Sequence, residues 1–264
     1  MQTAKISSLI KKVADNEITP WFRNLREDEV LFKEPGEFVT AADLAAEFAL
    51  SDGLRALYPN AIITGEEDIS KNPMRLVELL SADCGLLIDP IDGTNNFIKG
   101  DEKFAVMAVA LQRGEAVASW IFLPSYNKLA VAEKGGGSYI NDKRIEVPSA
   151  PQKMKNLIGA AHINRMPEPL RLNTRKNLQQ IKENRPAYCA GYDYVAITEA
   201  QKYFSPYYST LIWDHLPGTL ILNEAGGCAR GLDGQAYTPR HSSSGLLCTP
   251  ERISWDLIKS AIFT

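Results

Sequence analysis

The sequence predicts a layered α+β fold, and three observations support this prediction. Two N-terminal segments have apolar residues at helical spacing, a central segment alternates apolar and polar residues as antiparallel strands do, and the C-terminal part alternates strand and helix patterns. The chain has 264 residues, of which 45% are hydrophobic and 23% are charged. A chain of this length and composition can bury a large core without disulfide bonds.

The first two elements are predicted to be helices. The apolar residues of the first helix recur at helical spacing, and residues 16–20 are expected to end this helix. These apolar residues are Ile6, Leu9, Ile10 and Val13. The second helix is predicted over residues 43–57. Its apolar stripe is expected to be Leu44, Phe48, Leu54 and Leu57.

Short strands are predicted after the second helix. Residues 61–64 and 85–89 are brief apolar runs, typical of buried strands. The pattern then takes a period of two, which predicts an antiparallel meander joined by turns rich in glycine, proline and asparagine. Its strands are expected at residues 104–112, 116–123, 129–133, 138–140 and 144–147.

A polar, proline-containing connector at residues 148–155 marks a predicted boundary between residues 1–150 and residues 151–264. Strands and helices are expected to alternate beyond it. The strands are predicted at residues 157–163 and 245–248, and the helices at residues 168–182, 192–200 and 214–225. Gly226 and Gly227 would end the third of these helices. Thr249 is the predicted N-cap of a last helix that begins at Pro250.

Composition excludes several classes of protein. The formal net charge of −3 argues against a dedicated nucleic-acid binder. Apolar runs fall far short of the ~20 residues of a membrane span, and the N-terminus lacks the apolar region of a secretory signal. The four cysteines are far apart and form no CxxC pair, which favours free thiols in a reducing cytoplasm. We therefore expect a cytoplasmic protein without nucleic-acid or membrane partners.

The strongest local signal is the segment DPIDGTNNF at residues 89–97. An apolar strand delivers Asp89 at its end, Pro90 is expected to stop the pairing of that strand, and Asp92 follows three residues after Asp89. Two carboxylates facing one point suit Mg²⁺, which prefers oxygen ligands. A turn in which Asp92 caps a helix explains the same spacing, so both interpretations stay open.

Three further carboxylates occupy similar positions at element boundaries. Glu66 directly follows an apolar run, Asp214 precedes a long apolar helix, and Asp43 begins the second predicted helix. Each alone could be a solvated turn or a helix-capping residue. The chain has no Walker A loop, no GxSxG elbow and no catalytic cysteine motif, so the acidic residues point to metal-assisted hydrolysis.

Other candidate residues carry weaker signals. The histidines His162, His215 and His241 do not have metal-ligand spacing, and Lys33 is predicted to lie in a polar loop over residues 33–36, from which it could reach a phosphate. The three glycines at residues 135–137 are interpreted as a hairpin turn.

Four motifs in the correct order resemble those of the inositol monophosphatase family, a family of Mg²⁺-dependent, lithium-sensitive phosphatases. The resemblance covers the chain from about Lys33 to the C-terminus. The motifs are FVTAAD at residues 38–43, TGEED at 64–68, DPIDGTNNF at 89–97 and WDHLPGTLILNEAGG at 213–227.

The resemblance implies a layered αβαβα sandwich, one compact unit made of two halves. The N-terminal half would hold the main metal site, and the C-terminal half would contribute the WD aspartate and substrate contacts. It also implies hydrolysis of a small, inositol-phosphate-like phosphomonoester by in-line attack of a metal-activated water. Two or three Mg²⁺ ions, lithium sensitivity and a homodimer are expected on the same ground.

Site residues follow from the same resemblance. Glu66, Asp89 and the carbonyl group of Ile91 would bind a first Mg²⁺, and Asp89, Asp92 and Asp214 a second. Glu66 would also hold a water of a third ion. Asp43 and Thr94 would orient and deprotonate the attacking water, so the catalytic set is Asp43, Glu66 and Thr94. The substrate would contact Asp92, Gly93, Thr94, Ala190 and Asp214.

One position departs from the family pattern. Seven residues before Asp214, inositol-specific members carry a glutamate that contacts the inositol ring, and this chain has Tyr207 there. The segment at residues 188–191 is atypical as well. Alternative substrates are therefore histidinol phosphate, fructose 1,6-bisphosphate and 3′-phosphoadenosine phosphate, although Asn95 and Asn96 disfavour the last. A regulatory binding protein that retains the fold is the alternative from another class.

Overall fold

Two main β-sheets, with helices between them and on both outer sides, make up the structure. The computed structural model describes residues 2–34, 37–240 and 245–263. Its α-helices are α1 (Thr3–Val13), α2 (Ala41–Leu57), α3 (Glu66–Lys71), α4 (Met74–Ser81), α5 (Thr94–Ile98), α6 (Leu170–Asn177), α7 (Ala190–Thr198), α8 (Ile212–Glu224) and α9 (Arg252–Ile262). Its strands are β1 (Val30–Glu34), β2 (Glu37–Thr40), β3 (Ile62–Gly65), β4 (Cys84–Asp92), β5 (Ala105–Gln112), β6 (Glu115–Leu123), β7 (Lys128–Glu133), β8 (Gly137–Ile140), β9 (Lys143–Ile145), β10 (Ile158–Gly159), β11 (Glu183–Asn184), β12 (Ser205–Tyr207), β13 (Cys228–Gly231) and β14 (Leu246–Thr249).

The larger sheet has seven strands in the order β3-β4-β5-β6-β7-β8-β9. Its strands pair antiparallel with one exception, because β3 runs parallel to β4. Parallel neighbours end at the same edge of a sheet. The residues that follow β3 therefore lie beside the C-terminal end of β4, and this edge positions the candidate site.

Strand β5 shows how the larger sheet separates two layers of helices. Val106 and Ala108 pack with buried residues of α1 and α2 on one face. Ala105 and Met107 pack with α7 and α8 on the other. Successive side chains of a strand point to opposite faces, so a strand buried on both sides reads as one continuous apolar run.

The middle layer consists of α7 and α8, which approach each other closely. A Cβ atom at Gly218 of α8 would lie 2.0 Å from the ring of Tyr194 of α7, so only glycine permits this approach. The second sheet, with strand order β12-β14-β13, covers the other side of these helices. In β14, Leu246 and Cys248 face α7 and α8, whereas Leu247 faces α9.

The order of layers is therefore helices α1 and α2, the seven-stranded sheet, helices α7 and α8, the second sheet, and helices α6 and α9. The predicted αβαβα sandwich is confirmed. The predicted connector carries no α-helix or strand, only a 3₁₀ turn at Met154–Asn156. The division of the chain into two halves at this connector stays a prediction.

The second helix forms as predicted, but its buried stripe differs from the predicted one. Phe48 is 74% exposed, whereas Ala42, Ala46, Leu50 and Leu54 are buried. These four residues recur every four positions and therefore share one helix face. The small alanines on that face let the helix approach the sheet closely, and Phe48 points away from it.

Several element boundaries also differ from the predictions. The last helix begins at Arg252 after Glu251, because Thr249 is still paired in β14 and its hydroxyl donates to the Glu251 carbonyl. The strand predicted over residues 157–163 shrinks to β10. The hairpin of β1 and β2 and the helix α4 have no counterpart among the predicted elements.

Two of the weaker predictions fall partly on residues outside the described ranges. His241 lies outside them, as do Pro35 and Gly36 of the predicted loop, but Lys33 is described and belongs to β1. Within the described part of the chain, no helix combines the length and apolar character needed to span a membrane.

Candidate metal and catalytic site

Three carboxylates meet at the edge where β3 and β4 end. Glu66 begins α3 directly after β3, Asp89 lies in β4, and Asp214 lies in the first turn of α8. One oxygen atom from each lies within 4.8 Å of those of the other two. This spacing suits a cation that bridges all three carboxylates.

A β-bulge in β4 brings Asp89 and Asp92 to the same face of the sheet. Asp89 is paired with Met107 and Asp92 with Ala105. The paired positions are therefore three residues apart in β4 but only two apart in β5. In a regular strand, residues three apart face opposite sides, and one extra residue removes that difference. Pairing therefore resumes after Pro90 rather than stopping there, and both carboxylates face the layer of α7 and α8.

Asp89 is buried, and neither of its carboxylate oxygens has a hydrogen-bond partner among the described residues. Burial raises the pKa of Asp89 well above its usual range, and the charges of Glu66, Asp92 and Asp214 raise it further. Leaving a buried carboxylate without a partner costs several kcal/mol. A divalent cation removes this cost, so the carboxylates present fit one.

Asp43 and Thr94 form a second group beside the three carboxylates. The Thr94 hydroxyl lies 3.2 Å from Asp43 Oδ1 and 3.0 Å from the carbonyl oxygen of Ile91. Asp43 is fixed at the start of α2, where its other oxygen accepts hydrogen bonds from the backbone and hydroxyl groups of Thr40. Burial raises the pKa of Asp43 to about 7, which suits a group that takes up a proton near neutral pH.

Asp92 lies at the N-terminus of α7, outside the group of three carboxylates. Its Oδ2 accepts hydrogen bonds from the Gly191 amide at 2.6 Å and from Cys189 Sγ at 3.0 Å. Ala190, a predicted substrate contact, is the first residue of this helix and is therefore its neighbour. The structure places Asp92 between the β4 edge and α7, and its role as a metal ligand stays a prediction.

Gly93 adopts a left-handed backbone conformation, with φ of 85°. A Cβ atom there would lie 3.0 Å from the Cβ of Cys189 and 3.1 Å from the Lys103 carbonyl oxygen. Both the conformation and the space require glycine. The turn therefore sits tightly against the segment that precedes α7.

Two residues that hold the start of α3 in place were either not predicted or predicted in another role. Glu47 of α2 is buried and accepts hydrogen bonds from the amides of Glu67 (2.8 Å) and Asp68 (2.9 Å), so it caps α3. The ammonium group of Lys33 lies 3.1 Å from Glu66 and 2.6 Å from Glu67. Lys33, which could reach a phosphate from the predicted polar loop, instead neutralises the carboxylates of Glu66 and Glu67. A carboxylate on a helix interior was the only available sequence signal for Glu47.

Three rings, defined here as the aromatic wall, pack on one another near the N-terminus of α7: His162, Tyr188 and Tyr207. The His162 ring stacks on that of Tyr207 with centroids 5.7 Å apart and meets Tyr188 edge-on at 5.2 Å. His162 Nε2 lies 2.8 Å from Asp193, which also forms a buried ion pair with Lys202. No sequence motif predicts that these three rings pack together, because they are far apart in the chain.

Known proteins resemble this chain over most of its length. The family model described as "Inositol monophosphatase family" matches residues 2–261. An inositol-1-monophosphatase of Mesorhizobium japonicum is 29% identical, and the match covers 81% of this chain and 79% of that protein. A protein of Vibrio cholerae named Nus factor SuhB is also 29% identical over the same shares of the two chains.

Solved structures share the fold. A Thermotoga maritima IMPase superposes with a TM-score of 0.84 at 23% identity, covering 99% of this chain and 97% of that one. The described edge of β3 and β4, with its three converging carboxylates, therefore belongs to a fold that other chains of low sequence identity adopt.

Proposed function

This chain belongs to the inositol monophosphatase family, and we propose that it hydrolyses a small phosphomonoester with the help of Mg²⁺. The observation that carries the proposal is the group of Glu66, Asp89 and Asp214, in which the buried Asp89 has no hydrogen-bond partner among the described residues. A phosphatase follows from membership of the family. We further propose the identity of the cation and the role of each residue.

Glu66, Asp89 and Asp214 would hold the cation, and the Ile91 carbonyl and Asp92 would complete the ligands of two ions. Their hard oxygen ligands suit Mg²⁺. A bound divalent cation would neutralise the charge of the carboxylates and the phosphate and lower the pKa of a water molecule. Without it, the carboxylates would repel a phosphate group.

Thr94 and Asp43 would position the attacking water and take its proton. When Thr94 donates its hydroxyl proton to Asp43, its oxygen lone pairs are available to accept a hydrogen bond from the water. During attack, one proton would pass from the water to Thr94 while the Thr94 proton passes to Asp43. The raised pKa of Asp43, about 7, supports this role.

Gly93 and Thr94 would bind the phosphate through their backbone amides. The glycine turn precedes α5, so these amides lie at the start of a short helical segment. Amides that converge on one point stabilise the negative charge of a phosphate group. Ala190 and Asp92, across the turn, would contact the alcohol part of the substrate.

The test is a phosphate-release assay with 2-glycerol phosphate. We expect release with Mg²⁺, its loss on addition of EDTA, and its recovery when Mg²⁺ is supplied in excess of EDTA. Ca²⁺ is the control cation, because it takes more ligands at longer distances and should support little turnover. Release that persists in EDTA, after dialysis against the chelator, would contradict the proposal.

A second candidate function is regulatory binding to a protein partner. It is favoured by one observation, namely that several relatives carry the name Nus factor SuhB. The two functions differ in their dependence on the carboxylates. A protein that acts only by binding would retain that action after Asp89→Asn and would release no phosphate from any ester in a broad panel.

A further inference from the structure

Tyr188 combines two features that are unfavourable for a tyrosine. Its backbone has a φ of 58°, in the left-handed region that bulky residues rarely adopt. Its side chain is 58% exposed, so burial of the ring does not offset the strain. Strained residues of this kind concentrate at functional sites, where the surrounding structure holds them in place.

The backbone of Tyr188 is fixed against the turn at Gly93, which is proposed to bind the phosphate. Asn96 Nδ2 donates to the carbonyl oxygens of Ala187 at 2.8 Å and Lys103 at 2.7 Å, which ties the segment before α7 to the segment after Gly93. A Cβ atom at Gly93 would lie 3.5 Å from the Tyr188 carbonyl oxygen. The exposed ring of Tyr188 is therefore anchored at the rim of the candidate site.

His162 extends the surface that Tyr188 begins. The ring planes of His162 and Tyr188 are 87° apart, and the His162 ring also stacks on the buried ring of Tyr207. Asp193 is fully buried and accepts a hydrogen bond from His162 Nε2. Since Asp193 is itself paired with Lys202, the orientation of the His162 ring is fixed before any ligand arrives.

Tyr207 lies behind this surface and does not line it. Its ring is buried, and its hydroxyl oxygen is inaccessible to solvent. The residue that stands where inositol-specific relatives carry a glutamate therefore supports His162 through stacking. The surface offered to a substrate is the exposed face of Tyr188 together with the His162 ring.

We propose that Tyr188 and His162 form the subsite for the alcohol part of the substrate and select phosphomonoesters whose alcohol carries a planar heteroaromatic ring, as nucleosides do. This inference rests on the proposed phosphatase function. Aromatic faces bind planar rings by stacking. Stacking on a nucleic-acid base is favourable whichever base it is. A saturated polyol has no flat face for such a surface and would gain less from it.

The test compares two esters of the same primary alcohol. Adenosine 5′-monophosphate and ribose 5-phosphate carry the same phosphate ester, but only the first has a base. We expect kcat/KM of the wild-type protein to be roughly tenfold higher for adenosine 5′-monophosphate. A ratio of one or below would overturn the proposal.

Substitutions at Tyr188 show whether the substrate ratio depends on the aromatic ring or on the backbone conformation. Tyr188→Phe keeps the ring and should keep the ratio, whereas Tyr188→Gly should reduce it to within about twofold of one. Tyr188→Gly should not lower the melting temperature, since glycine adopts the left-handed conformation without strain. A ratio that survives in Tyr188→Gly would also overturn the proposal.

Ala200→Gly is the matched control. Ala200 also has a positive φ, 56°, but lies beyond the C-terminal end of α7 and away from the site. It should leave the substrate ratio unchanged. A comparable loss in this control would assign the effect at residue 188 to backbone flexibility and refute the proposed subsite.

The experiment distinguishes failure of this inference from failure of the proposed function. If neither ester is hydrolysed with Mg²⁺, the subsite is judged from dissociation constants measured by calorimetry with the same two compounds, and the phosphatase proposal fails only if 2-glycerol phosphate is not hydrolysed either. Tighter binding of adenosine 5′-monophosphate that weakens in Tyr188→Gly supports the subsite. Equal binding of both compounds refutes it.

Discussion

The two sides of the candidate site are built in opposite ways. The carboxylate side, Glu66, Asp89 and Asp214, is charged and leaves Asp89 without a hydrogen-bond partner among the described residues. The aromatic side consists of the aromatic wall together with Asp193 and Lys202. Its rings pack on one another, and Lys202 neutralises the buried charge of Asp193. The first arrangement leaves buried oxygen atoms available to a cation, whereas the buried carboxylate of the second already has partners. Under the roles proposed above, the chemistry and the selection of the alcohol would be separable.

The largest effect is expected from Asp89→Asn. The substitution would remove a proposed oxygen ligand of the cation, so kcat should fall by about a thousandfold for every substrate. The variant should melt at the same or a higher temperature than the wild type in EDTA, because one buried and uncompensated charge is gone. Activity and thermal melting with and without Mg²⁺ measure both effects.

Asp83→Asn is the control for this variant. Asp83 directly precedes β4, and its side chain is almost fully exposed. It should change neither the activity nor the dependence of melting on Mg²⁺. If Asp89→Asn retained activity within tenfold of the wild type, the assignment of Asp89 as a metal ligand would be wrong.

A smaller loss is expected from Thr94→Ala, about a hundredfold in kcat with little change in KM. The hydroxyl would accept a hydrogen bond that strengthens as the water loses its proton, so its removal affects the transition state more than the bound substrate. Thr94→Ser retains the hydroxyl and should restore most of the rate. Steady-state kinetics decide the question, and a loss confined to KM would show that Thr94 only binds substrate.

The third prediction concerns the aromatic side. Lys202→Met leaves the buried carboxylate of Asp193 without its cation and should destabilise the protein by about 3 kcal/mol. Lys202 would then no longer hold the Asp193 carboxylate that contacts His162, so the His162 ring would be less well oriented. The preference between substrates should therefore weaken, while the Mg²⁺ dependence of activity stays. Urea denaturation and the ratio of kcat/KM for two esters measure these changes.

Lys128→Met is the matched control for Lys202→Met. Lys128 pairs with Glu199 near the other end of α7, and both side chains are partly exposed. Its loss should cost less than about 1 kcal/mol. Equal destabilisation by the two substitutions would mean that burial of the Asp193 pair has no special importance.

The carboxylate side was predicted from motifs that resemble those of a known family, because each acidic residue alone also fitted a turn or a helix cap. In the structure, Glu66 begins α3, Asp214 lies in the first turn of α8 and Asp89 lies within β4. The bulge after Asp89 was not predicted, because proline suggested that pairing stops, whereas β4 resumes its register at Asp92. Local propensity indicates where a strand is disturbed, but the partner strand decides whether it continues.

The aromatic side could not be predicted because its contacts are long-range. His162 lies in the irregular segment after β10 and Asp193 lies in α7, and no periodicity connects them. The same limit explains Phe48, whose apolar character predicted burial although the alanines of α2 form the packed face. A hydrophobic pattern predicts that a helix has a buried face, but packing geometry decides which residues compose it.

The position of α7 and α8 between the two sheets has a consequence for synthesis on the ribosome. The last strand of the larger sheet ends at Ile145, but α7 and α8, which cover its inner face, are complete only at Glu224. At translation rates of ~5–20 residues per second, this face would stay uncovered for roughly 4 to 16 s before α7 and α8 are complete. During that interval the nascent chain exposes an apolar surface that includes Met107 and Ile121. The layer that unites the two sheets therefore makes the growing chain dependent on protection from aggregation until late in its synthesis.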